Sequence, residues 1–109
     1  MSSKQVLFIH NRITFAEIIQ AGFADIDDWQ ISTASSVKSM LMKITQKTPD
    51  LIILDFEYLE MDGFQILTMI RNYLSCHSPV VVFITQPLTK EEENILIKLE
   101  VLKVIYKSV

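Results

Sequence analysis

Glycine is almost missing from this chain, with only Gly22 and Gly63 among 109 residues. A glycine-rich loop that cradles phosphates on its backbone N–H groups therefore has no place in it, which speaks against a nucleotide binder. Cys76 is the single cysteine, so no internal disulfide can form and a reducing compartment is the simplest expectation. The ten Lys and Arg residues are scattered and are outnumbered by thirteen Asp and Glu, for a net charge of -3. A groove that tracks nucleic-acid phosphates needs clustered positive charge, so no direct nucleic-acid partner is expected. No apolar run approaches bilayer length, and Met1-Ser2-Ser3-Lys4-Gln5 leads into a short strand without a signal-peptide core. The expectation is a soluble cytoplasmic protein with no membrane partner.

What remains is apolar, at 50% hydrophobic residues. The length suits a single domain over residues 1–109 with one core. So high an apolar content in so small a domain points to hydrophobic surface covered by a partner.

Read in order, Val6-Leu7-Phe8-Ile9 is a continuous apolar run, as in a strand buried on both faces, and it stops at His10-Asn11-Arg12. Thr14 and Glu17 have capping-box spacing, and the following periodicity predicts a first helix from about Phe15 to Ala21. Trp29 to Thr33 alternates as a half-exposed edge strand does. Ser35 or Ser36 caps a second helix, with Val37, Met40, Leu41 and Ile44 on one face, running out before Pro49. Leu51 to Leu54 form a buried strand that ends in the carboxylate of Asp55, and a turn closes at Asp62-Gly63. A third helix has its stripe at Phe64, Leu67, Ile70 and Leu74. A strand over Val80–Thr85 follows. Thr89 and Glu92 then cap a fourth helix facing inward through Ile95, Leu96, Leu99 and Leu102, and the last strand is Val104-Ile105-Tyr106.

Strands alternating with helices predict an α/β fold, a doubly wound five-stranded parallel sheet with right-handed crossovers. In such sheets, ligands bind beyond the carboxyl ends of the strands. Those ends present His10 and Asn11, Asp55, Thr85 and Lys107 to one crevice. The three last-named types suit a phosphoryl group: a carboxylate nucleophile, a hydroxyl donor and an ammonium point charge.

At these residues the chain resembles the receiver domains of two-component response regulators. The likeness lies in Pro49-Asp50-Leu51-Ile52-Ile53-Leu54-Asp55, Met61-Asp62-Gly63, Ser78-Pro79 through Thr85, and Lys107. It implies a flavodoxin-like strand order 2-1-3-4-5, with Asp55 as phosphoacceptor, Thr85 as switch hydroxyl and Lys107 as the phosphate-pairing lysine. It also implies a non-enzymatic signalling role with a sensor histidine kinase or another signalling protein as partner.

The departures from that pattern are specific. Active receivers hold Mg²⁺ with paired acids at the end of the first strand, where this chain has His10 and Asn11. Mg²⁺ demands oxygen ligands in near-octahedral geometry. Each carboxylate lost at about 4 Å removes roughly 4 kcal/mol per cation charge before desolvation. Asp55 is then a weak metal ligand at best, no cofactor is expected beyond weakly held Mg²⁺, and charge on a transferring phosphoryl group is poorly stabilised. Leu59 stands where the family has a proline, Gln86 where it has a small residue and Val104 where it has an aromatic, with Tyr106 displaced. Ser108 replaces the proline after the lysine.

The reading is a signalling module with weak or no Mg-dependent phosphorylation at Asp55, acting through protein–protein interaction. The alternative is a conventional receiver phosphorylated there by a histidine kinase. The blander accounts are an Asp55–Lys107 structural pair, His10 as a hydrogen-bonding neighbour and Thr85 as a strand-end cap. Cys76 and His77 are expected to be solvent-exposed loop residues, and Glu91 to Glu93 to complement a helix dipole. No residues follow the last strand to build its usual helix, so either the chain is a truncated piece or something else covers that face; a homodimer or a fused partner segment is expected.

Overall fold

The computed structural model describes residues 4–10, 21–22, 28–56 and 61–106. Its elements are β1 (Lys4–Ile9), β2 (Trp29–Ala34), α1 (Val37–Gln46), β3 (Leu51–Asp55), α2 (Gly63–Thr68) with a π-helical turn (Met69–Tyr73), β4 (Val80–Ile84), α3 (Lys90–Lys98) and β5 (Val101–Tyr106). The strands form one sheet in the order β2-β1-β3-β4-β5, every neighbouring pair parallel. This is the expected doubly wound order, with the alternating Trp29 strand at one edge. The expected helix at about 15–21 falls almost wholly outside the described residues; Ala21 and Gly22 are helical.

The continuous apolar runs become central strands because both faces are buried. Leu7, Ile9, Ile52, Leu54, Val80, Val82 and Ile84 pack on one side against Met40 and Ile44 of α1, Ile66, Leu67 and Ile70 of the α2 segment, and Leu96 of α3. Their in-between neighbours Val6, Phe8 and Ile53 form a second cluster on the other side with Trp29, Ile31, Leu51 and Phe83. All described members of that second cluster come from strands. Each fully buried aliphatic contributes about 1.5–3 kcal/mol, so a central strand needs no polar alternation.

Caps decide where the helices begin. Ser36, not Ser35, caps α1, its Oγ accepting from Ser39 N at 3.1 Å. Thr89 and Glu92 make the complete reciprocal capping box at α3. One helix expectation needs correction. Helix α3 ends at Lys98 and β5 begins at Val101, so Leu99 and Leu102 are not helical; Leu102 is 68% exposed and Ile95 44%. The left-handed Glu100, at φ 60°, stops the helix even though the apolar spacing continues at helical intervals. The third-helix stripe faces the core as expected. Leu67 and Ile70 are in the core and Phe64 and Leu74 pack against it, while the π-turn, which adds a residue to one turn, also brings Arg71 to a buried position.

Candidate functional site

The pairing register brings the site together. Ile9 pairs with Leu54, so His10 and Asp55 occupy the next position along β1 and β3, and Asp55 pairs in turn with Phe83 of β4. Thr85 leaves β4 two residues beyond Phe83. Asp55 and His10 are buried, at 0% and 3% exposure, and Thr85 is half-buried. The backbone fixes both strand exits: His10 N donates to Ala34 O at 2.9 Å, and Phe56 N donates to Phe83 O at 3.0 Å. The His10 ring lies 4.9 Å from that of Phe8, tilted by 35°. Three of the five sequence-selected residues thus converge. Asn11 and Lys107 lie outside the described residues, as do Tyr58, Leu59 and Ser108.

The loop after Asp55 explains one of the two glycines. A Cβ built on Gly63 would overlap the Phe56 ring at Cδ1, Cε1 and Cγ. The residue following the candidate acceptor is therefore seated over a position where any side chain would have to displace its ring. Phe56 makes an edge-to-face contact with Phe64, centroids 4.8 Å apart, and Asp62 Oδ1 accepts from Phe64 N at 2.9 Å. Beside this loop a cleft of about 220 Å³ is lined by Phe56, Asp62, Ile84, Gln86, Leu88 and Glu92. Both its acids serve helix starts, Asp62 at α2 and Glu92 at α3. Val104 packs on the main core while Tyr106 points outward, 54% exposed, so the displaced aromatic lies on the α3–β5 surface.

The described donors do not fit Mg²⁺. No group of three or more His, Cys, Asp and Glu side chains among the described residues can hold a metal ion. The neighbour that β1 supplies to Asp55 is an imidazole, which suits transition metals far better than it suits Mg²⁺.

The sequence profile of the response regulator receiver domain matches residues 6–109. The chain belongs to that family. Solved structures similar to this receiver include the chemotaxis protein CheY4 of Vibrio cholerae, with a TM-score of 0.83 at 18% identity, covering 99% of this chain and 89% of that one. The receiver domain of a Luxo repressor protein from Vibrio parahaemolyticus gives 0.84 at 20% identity, over 98% and 80%. At these identities the likeness is one of fold. A curated relative, the protein-glutamate methylesterase/protein-glutamine glutaminase of group 3 operon from Bradyrhizobium diazoefficiens, is 29% identical over 93 residues, 84% of this chain and 24% of that protein. The receiver thus spans about a quarter of that relative's length. No helix among the described residues is long and apolar enough to cross a membrane.

At the opposite end of the sheet lies a group that the sequence reading missed. Arg71 is buried and donates to four backbone carbonyls, those of Leu99, Cys76, Ser78 and Glu100. Ser78 Oγ donates to Pro49 O. Cys76, expected in solvent, is 4% exposed, with Sγ 3.3 Å from Ser78 Oγ; the backbone reversal at left-handed Ser75 folds it inward, while His77 is exposed as expected. The available signal was an arginine adjacent to Ile70 in an apolar stripe, indistinguishable by composition from a solvated helix residue.

Proposed function

We propose that this receiver works as a signalling module through protein–protein interaction, with weak or no Mg-dependent phosphorylation at Asp55. The observation that carries the reading is His10, buried at the register position beside Asp55, where metal-assisted phosphoryl transfer needs carboxylate oxygens. An acceptor without a metal beside it lacks the charge that would stabilise the transferring group. Asp55, Thr85 and Lys107 then serve as a structural polar triad, Lys107 pairing with the Asp55 carboxylate instead of with phosphate. Its partner is a sensor histidine kinase or another cytoplasmic signalling protein. A homodimer or a fused segment covers part of the sheet face on which Phe83 is only partly buried.

The test is intact-mass analysis after incubation with a small phosphodonor and Mg²⁺. The wild type should take up little or no phosphoryl group. The double variant His10→Asp/Asn11→Asp should label at least about tenfold more, and Asp55→Asn in that background should abolish labelling. Stoichiometric labelling of the wild type at Asp55 would establish instead the conventional phospho-accepting receiver, the reading favoured by retention of a buried carboxylate at the strand end next to Thr85. Light scattering across a wide concentration range tests the dimer, and a persistent monomer would remove it.

A further inference from the structure

The α3–β5 unit closes one edge of the sheet, held by the β4–β5 ladder and by Leu96, Leu99, Val101 and Val104 against the main core. Helix α3 buries a single residue, Leu96, and β5 pairs only with β4. That ladder is interrupted where it starts: Val80 pairs with Val101 but Val81 pairs with Lys103, leaving Leu102 as a bulge. A bulge removes ladder hydrogen bonds locally and bends the strand. At this interrupted end Arg71 supplies bonds in their place. Its Nε donates to Leu99 O at 2.9 Å and its Nη2 to Glu100 O at 3.2 Å, while Nη1 donates to Cys76 O at 2.9 Å and Ser78 O at 2.7 Å. One planar guanidinium thereby joins the α3–β5 turn to the α2–β4 loop.

Local conformation is arranged around this contact. The π-turn places Arg71 inward, with Leu74 N donating to Met69 O at 3.0 Å and Cys76 N to Ile70 O at 2.9 Å. Two non-glycine residues, Ser75 and Glu100, accept left-handed backbone, at φ 49° and 60°, in the two segments whose carbonyls face the guanidinium. Such residues persist where surrounding contacts over-determine them. Lysine would deliver one compact point charge in place of a fork that reaches several acceptors at once.

We propose that Arg71 is a latch that sets the position of the α3–β5 unit from the end of the sheet opposite Asp55, and that this unit opens as a separate cooperative segment when the latch is lost. The latch thereby controls the shape of the groove between α3 and β5, about 290 Å³, whose rim carries the exposed Ile97, Leu102 and Tyr106. It acts whether or not Asp55 is phosphorylated.

The experiment is amide hydrogen exchange by mass spectrometry on the full chain, comparing wild type with Arg71→Met and Arg71→Lys. The readout is the ratio of exchange rates in peptides covering 95–106 to those in peptides covering 51–55, which cancels any global loss of stability. In Arg71→Met the ratio should rise at least about tenfold, the size expected when charge-assisted hydrogen bonds are removed from a locally opening segment. Arg71→Lys should fold and show a smaller rise, about threefold or more. An unchanged ratio in Arg71→Lys, where Arg71→Met fails to fold, or an unchanged ratio in both, would overturn the latch and leave Arg71 as a contributor to overall stability alone.

Discussion

The two ends of the sheet are built on opposite principles. At the amino end, Arg71 and Ser78 direct their donors at backbone carbonyls of Pro49, Cys76, Ser78, Leu99 and Glu100. At the carboxyl end, the side chains of His10, Asp55 and Thr85 are brought together by strand register. One end uses side chains to satisfy loops, and the other uses loops and strands to place side chains. The candidate site lies at the second end, where ligands bind in doubly wound sheets, while the donors of Arg71 and Ser78 at the first are committed to holding turns.

Substitutions that separate the ends should rank accordingly. Arg71→Met leaves four carbonyls without their charged donor, of which the buried ones recover little from water; stability should fall by about 3 kcal/mol. Chemical denaturation measures this as a lowered midpoint, and a loss under about 1 kcal/mol would show that water replaces the guanidinium. Gly63→Ala comes next, because its Cβ must displace the Phe56 ring; a cost of about 2 kcal/mol is expected. The same substitution in a Phe56→Ala background should cost less than half as much, and equal costs would mean the ring is not the obstacle. Thr89→Ala removes one side of the capping box and should cost about 1 kcal/mol, read as a matching drop in stability.

The legibility of the two ends differs for the same reason. Apolar runs that end in polar residues, Ile9-His10 and Leu54-Asp55, announced buried parallel strands and the convergence of the groups at their ends, whereas the order of the strands was legible only through the family resemblance. Loop satisfaction follows from backbone directions that composition does not encode. Arg71 reads as an ordinary helix cation until a π-turn rotates it inward, and Cys76 reads as a loop residue until left-handed Ser75 folds it under. The α3 boundary failed similarly. Leu99 and Leu102 keep helical spacing from Ile95, and only the conformation of Glu100 shows that the chain has already turned into β5.

The smallest expected effect is also the sharpest test of the carboxyl end. A ligand that binds only the folded state stabilises it by RT ln(1 + [L]/Kd), about 0.4 kcal/mol when Mg²⁺ equals its Kd. Wild type offers an imidazole beside Asp55, so its melting temperature should not respond to Mg²⁺ beyond the response to an equal ionic strength of a monovalent salt. His10→Asp/Asn11→Asp is expected to start lower, because a second carboxylate beside buried Asp55 is repelled by it and loses the Phe8 ring contact. Mg²⁺ should then raise the variant's melting temperature, since the cation relieves that repulsion only in the folded state. Equal Mg²⁺ responses in the two proteins would show that the metal does not discriminate between imidazole and carboxylate here, and the distinction between a silent and a phospho-accepting site would no longer rest on His10.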